Sequence, residues 1–183
     1  CNILNKLKDF SKKRLLCKGD AGTGKTVIAK VAAERVAKDK KILFLCFNTL
    51  LAENIEKYFT NNNFLNVDVF TISRFFNELQ KKAGLNPVEF DDEKYFNYVS
   101  NSCEKNFDNE DKKYDYLVLD EAQDFMINDY FAVLDQCLKR GLKDGNWLIM
   151  YDPEEQSGMY NRYDEKLITE LESYSFPWKL EHN

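Results

Sequence analysis

Eight consecutive residues offer the clearest chemistry in the chain: Gly19-Asp20-Ala21-Gly22-Thr23-Gly24-Lys25-Thr26. They match G-x-x-x-x-G-K-[ST] in full, with an apolar strand-like run before them and an amphipathic stretch after. The glycines let the backbone turn tightly and bring successive N–H groups inward. With the start of the following helix, those N–H groups form a concave anion site. Lys25 is placed to reach the β- and γ-phosphates of a nucleotide, and the Thr26 hydroxyl to ligate Mg²⁺. The bland alternative is a glycine-rich turn whose lysine is merely solvated.

A second group lies far downstream. Tyr116-Leu117-Val118-Leu119 is an apolar run ending in two acids, Asp120 and Glu121. A buried strand delivers such acids to its C-terminal edge, where α/β sheets bind ligands. Asp120 is expected to hold Mg²⁺, through water, and Glu121 to polarise an attacking water as general base. Alone, the pair is a weak signal and reads more readily as a strand entering a solvated acidic turn. Joined to a phosphate loop, it points to nucleoside triphosphate hydrolysis.

These residues need elements to position them. Strand candidates are Arg14–Lys18, Lys41–Phe47, Val67–Thr71, Tyr116–Asp120 and Asn146–Tyr151, several of them apolar almost throughout. That is the pattern of strands buried on both faces of a parallel sheet. Helical spacing appears in Thr26–Lys38 and in Tyr130–Arg140, the latter with Gly141 as its expected C-terminal stop. Phe176–Leu180 reads as one more short strand. Strands alternating with helices predict an α/β fold, a mostly parallel sheet flanked by helices on both faces. The stretch from Asn77 to Lys113 is more charged and reads as a small helical insertion.

At 183 residues the chain fits one domain, against a prior of roughly 150 residues per domain. Its 44% hydrophobic and 31% charged residues fit an ordinary globular protein, not a disordered or fibrous one. No apolar run approaches the ~20 residues of a membrane span, and the opening residues lack a signal-peptide pattern. The five cysteines have no metal-ligand spacing, and Cys17 and Cys46 sit in apolar runs. They are expected to be buried free thiols of a reducing, cytoplasmic compartment. The net charge of −5 argues against a general polyanion-binding surface but leaves room for a local groove.

The full string Asp120-Glu121-Ala122-Gln123-Asp124, taken with the phosphate loop GDAGTGKT, resembles the UvrD/Rep-like branch of superfamily 1 helicases. Ile42–Asn48 followed by Thr49-Leu50-Leu51-Ala52 looks like that family's motif Ia, Phe70–Arg74 like motif Ib, and Trp147–Tyr160 like motif III with Asp152 and Gln156. The resemblance implies a RecA-like motor domain that binds ATP and Mg²⁺ through the loop Gly19–Thr26. It implies that Asp120 supports the metal, Glu121 activates water, and Gln156 senses the γ-phosphate. It places single-stranded or partly duplex DNA against Phe47, Asn48, Thr71 and Ser73, with Arg162 at the offset of a motif III arginine and Tyr160 as a stacking face. Stacking on an aromatic is worth ~1–3 kcal/mol per base.

There are departures. Asp152 and Gln156 stand one residue further apart than is usual, Ser73 replaces a common histidine, and the adenine-reading glutamine is not found. Motifs IV to VI are absent, as is the second RecA-like domain that would supply catalytic arginines. The chain therefore reads as a first motor domain cut before motif IV, slow in hydrolysis by itself and unable to unwind a duplex. Several residues keep simpler readings. Phe47 also reads as the last core residue of a strand, Thr71 and Ser73 as helix caps, and Tyr160 and Arg162 as surface groups. At the level of function, a P-loop ATPase switch without helicase activity remains the main alternative. A non-enzymatic nucleotide-binding module and a small-molecule kinase stand behind it.

Overall fold

The structure, a computed structural model, describes residues 13–87, 95–153 and 164–180. Six strands form one sheet: β1 Arg14–Gly19, β2 Ile42–Cys46, β3 Val67–Thr71, β4 Tyr116–Leu119, β5 Trp147–Tyr151 and β6 Phe176–Leu180. Their order across the sheet is β3-β2-β4-β5-β1-β6, and every pairing is parallel. The helices between them are α1 Lys25–Val36, α2 Thr49–Asn61, α3 Ile72–Lys82, α4 Tyr95–Asn106, α5 Asn128–Cys137, α6 Gly141–Asp144 and α7 Glu165–Ser173. The expected α/β fold is thus met, with β6 among its strands.

The apolar runs become central strands because both faces of the sheet are covered. Side chains alternate between faces along each strand. Leu15, Phe44, Val118 and Leu148 point to one side, where they pack with Ile28, Ala32 and Ala33 of α1 and Ile55 and Phe59 of α2. Leu16, Leu43, Leu117, Trp147 and Ile149 point to the other, against Phe75 and Phe76 of α3, Val99 of α4, Leu134 of α5 and Leu171 of α7. β2, β4 and β5 are buried along their whole length. Burying a side chain such as Leu or Phe stabilises the fold by ~1.5–3 kcal/mol. Cys17 and Cys46 are buried free thiols, as are Cys103 and Cys137.

Several strand and helix ends shift by one or two residues, the helix expected over Thr26–Lys38 running from Lys25 to Val36, and two departures are larger. The helix predicted over Tyr130–Arg140 runs instead from Asn128 to Cys137, and Leu138 is extended. The chain leaves the helix early because it pairs beside the segment leading into β4. Tyr114 N donates to Cys137 O at 2.9 Å, and Lys139 N donates to Tyr114 O at 2.9 Å. Gly141 is therefore not a helix stop. With φ 65° it opens α6, whose Leu142 N–H donates to Asp135 Oδ1 at 2.7 Å. The second departure is α3, which starts at Ile72 and runs through Asn77 into the stretch read as an insertion.

Candidate active site

In an all-parallel sheet every strand ends at the same edge. Gly19, Cys46, Thr71, Leu119 and Tyr151 therefore bring Asp20, Phe47, Asn48, Asp120, Glu121 and Asp152 to one rim. The phosphate loop leaves β1 at Gly19. A Cβ there would sit 2.8 Å from Thr23 Oγ1 and 2.9 Å from Leu180 Cβ, so only glycine fits. The loop closes on Asp20 O, which accepts from Thr23 Oγ1 at 2.7 Å and from Thr23 N at 3.3 Å. Gly24, at φ 87°, then enters α1 without a side-chain cap, and the first turn carries no acid. Ile28 N is bonded to Gly24 O. The N–H groups ahead of it belong to the turn that has no intrahelical acceptors, and they carry the positive end of the helix dipole.

Lys25, 4% exposed, joins the parts of the rim. Its Nζ donates to Gly19 O at 3.0 Å and to Asp20 O at 3.2 Å. It also lies 3.5 Å from Asp152 Oδ2 and 3.7 Å from Glu121 Oε2. The lysine of the loop thus faces carboxylates delivered by β4 and β5.

Asp120 is fully buried, and neither of its carboxylate oxygens has a hydrogen-bond partner of full geometry. The Thr26 hydroxyl faces it and offsets part of the cost of burial. Burial is the largest influence on this acid and pushes its pKa up to about 6. The charge of Glu121 acts in the same direction, while Thr26 and Lys25 pull the other way. A buried carboxylate faced by a hydroxyl is a hard-oxygen donor set suited to Mg²⁺. That ion takes one or two protein oxygens and completes its shell with water and phosphate. The neighbouring thiols stay protonated: burial pushes both Cys17 and Cys46 up to about 12.

Glu121 has left-handed backbone, φ 52° and ψ 47°. For a non-glycine residue this conformation is held by its surroundings. Ala122, Phe125 and Met126 are buried behind it and anchor the turn. Its side chain, 31% exposed, accepts from Gln123 Nε2 at 2.9 Å. Gln123 Oε1 in turn accepts from Asp152 N at 3.0 Å. One amide therefore fixes the Glu121 carboxylate to the end of β5. Sequence reading assigned no role to Gln123. The available signal was an amide inside the string DEAQD, but its partner lies on another strand.

A family model described as type III restriction enzyme, res subunit (ResIII), matches residues 1–140. The chain belongs to this family. The matched span holds the phosphate loop, Asp120 and Glu121, and the chain is a helicase-type NTPase domain. Among solved structures, one described as Pif1 helicases unwinding DNA at forked double-stranded DNA aligns with 98% of this chain. The identity is 14% and the TM-score 0.47. The chain spans 42% of the length of that structure. No curated protein matches.

In this ResIII domain the residues expected to meet DNA differ in their settings. Phe47 is 46% exposed directly after the fully buried Cys46, so it is not the last core residue of β2. Asn48 and Thr71 are helix caps: Asn48 Oδ1 accepts from Leu51 N at 3.2 Å, and Thr71 Oγ1 from Arg74 N at 3.2 Å. Ser73 is exposed on the first turn of α3. These residues continue the rim along β2 and β3 beyond Asp120. Gln156, Tyr160 and Arg162 lie outside the described residues. No described helix is long and apolar enough to cross a membrane.

Proposed function

We propose that this domain binds Mg·ATP at the carboxyl edge of its sheet, hydrolyses it, and is the first motor domain of a DNA helicase. The observation that carries the reading is the buried Asp120 carboxylate faced by the Thr26 hydroxyl, next to a lysine held by a glycine loop. The N–H groups of the loop and of the first turn of α1 hold the β- and γ-phosphates. Lys25 exchanges the carbonyls of Gly19 and Asp20 for phosphate oxygens. Thr26 and Asp120 hold Mg²⁺, which when bound neutralises charge on the phosphates. Glu121, fixed by its backbone and by Gln123, takes a proton from the attacking water onto a carboxylate oxygen. Gln156 senses the γ-phosphate in this scheme.

The placement in the UvrD/Rep-like branch is finer than the family and rests on the string DEAQD with the order of the other motifs. On that reading single-stranded DNA runs over Phe47, Asn48, Thr71 and Ser73, with Tyr160 and Arg162 beyond. A second RecA-like domain of the same protein closes on the nucleotide. An arginine from such a domain is worth ~10³–10⁵ in rate, so the domain alone hydrolyses slowly. The capping duties of Asn48 and Thr71 favour a second reading, a P-loop ATPase switch that ignores DNA. The test is ATP hydrolysis by the full-length protein with and without single-stranded DNA. The motor reading predicts stimulation by DNA that Lys25→Ala abolishes. Equal rates with and without DNA favour the switch.

A further inference from the structure

A second charged cleft lies at the opposite edge of the sheet, where the strands begin. The register aligns Ile42 with Tyr116, and Trp147 with both Leu117 and Arg14. Lys40, Asp115 and Asn146, just ahead of β2, β4 and β5, therefore stand beside Arg14. The segment after α5 runs along Tyr114 and adds Lys139 and then Arg140, the latter in left-handed backbone at φ 67°. Together they enclose about 340 Å³, with four cations facing Asp115 and Asp144.

Of the two carboxylates lining the cleft, Asp115 is already committed, whereas Asp144 enters no ion pair among the described residues. Asp115 accepts from Lys139 Nζ at 2.9 Å and from Lys41 N at 2.8 Å. Glu110, nearby, is held by Lys113 at 2.7 Å and by the backbone N–H of Arg140. Arg14 Nε donates to Tyr174 O at 2.6 Å, which fixes the guanidinium and leaves it further donors. Among the described residues Arg14, Lys40 and Arg140 form no ion pair with a carboxylate. A chain of net charge −5 thus sets four cations against two carboxylates in one cleft, and Asp115, which also feels the charge of Lys40, is shared between them. Such a cleft concentrates anions. Guanidinium forks match phosphate oxygens in two-point contact. The volume equals that of roughly ten waters, enough for a phosphate group with part of its shell. A five-residue strand is about 16 Å long, so this cleft is separate from the phosphate loop.

We propose that this cleft is a second phosphate-group site, filled either by the phosphodiester backbone of a nucleic acid or by a free phosphate or pyrophosphate. Only the first source rests on the DNA reading above. The test uses the full-length protein carrying Lys40→Ala with Arg140→Asn. Neither side chain holds the fold, and asparagine tolerates the left-handed backbone. A charge-matched control carries Lys57→Ala with Lys105→Ala, both exposed and away from the cleft. Short duplex DNA is titrated over a range of salt. Pyrophosphate is titrated in the Lys25→Ala background, where the phosphate loop is disabled. A loss of about tenfold on DNA, with a salt slope reduced by about 2, identifies backbone phosphates at ~0.9 per contact, provided the control changes little. Unchanged DNA binding with lost pyrophosphate binding identifies the free anion. No binding of either probe, binding of both unaffected by the cleft variant, or an equal loss in the control overturns the proposal. DNA-free ATP hydrolysis, measured in parallel on the cleft variant, stays at the wild-type rate and separates this outcome from failure of the nucleotide site.

Discussion

Asp120 is an acid held where an acid is costly. Its pKa of about 6 stands above the ordinary value of 3.8, so the folded state holds the proton more tightly than the unfolded one. Stability therefore falls as pH rises from about 4 to about 6 and stays lower above that, by an amount on the order of 3 kcal/mol at 1.36 kcal/mol per unit. Other acids titrate in the same window, so the comparison is with Asp120→Asn. Urea unfolding should find the two proteins alike near pH 4 and Asp120→Asn the more stable at pH 7. Equal stability at both pH values would contradict the description of this carboxylate. The variant should also lose Mg²⁺-dependent nucleotide binding, because the charge that costs stability is the one the metal needs. Glu121 is a different case, half open and held in shape by Gln123. Gln123→Ala leaves the carboxylate in place but unfixed. It should lower the rate of hydrolysis with little change in ATP affinity, measured as kcat against KM.

The elements explain why the site forms where it does, and why some of it was unreadable. Continuous apolar runs such as Tyr116–Leu119 were legible because burial on both faces leaves no polar alternation to confuse the pattern. The phosphate loop was legible because its function lies in consecutive residues. What chain order hides are contacts between strands: the Lys25–Asp152 pair at 3.5 Å and the Gln123 bridge both join segments far apart in sequence. Gly141 misled for a related reason. Pairing of Leu138 with Tyr114 pulls the chain out of the helix before the glycine is reached. Two substitutions test element geometry by thermal unfolding. Gly19→Ala forces a Cβ against Thr23 and Leu180 and should destabilise by ~1–3 kcal/mol. Asn48→Ala removes the cap of α2 and should cost about 1 kcal/mol, whereas Asn48→Asp keeps the cap and the stability. If Asn48 also meets DNA, the Asp variant weakens DNA binding without moving the midpoint.

At the scale of the whole molecule, an all-parallel sheet divides its chemistry between two edges. The carboxyl edge collects the phosphate loop, Asp120, Glu121 and Asp152, with the rim continuing over β2 and β3. The opposite edge collects Arg14, Lys40, Lys139 and Arg140. The first division was foreseeable from strand polarity, since parallel strands end together. The second was not, because its cations come from three separate segments and the net charge of −5 conceals them. The account stands on the nucleotide site, and calorimetric titration of Mg·ATP into wild type, Lys25→Ala and Glu121→Gln, each verified as folded by circular dichroism, tests it most directly. Two charge-assisted bonds at about 1.5 kcal/mol each make Lys25→Ala roughly 100-fold weaker in binding. Glu121→Gln should bind like wild type and lose ~10²–10⁴ in turnover, the share of a general base. Binding of equal strength by wild type and folded Lys25→Ala, or loss of binding in folded Glu121→Gln, would contradict the account.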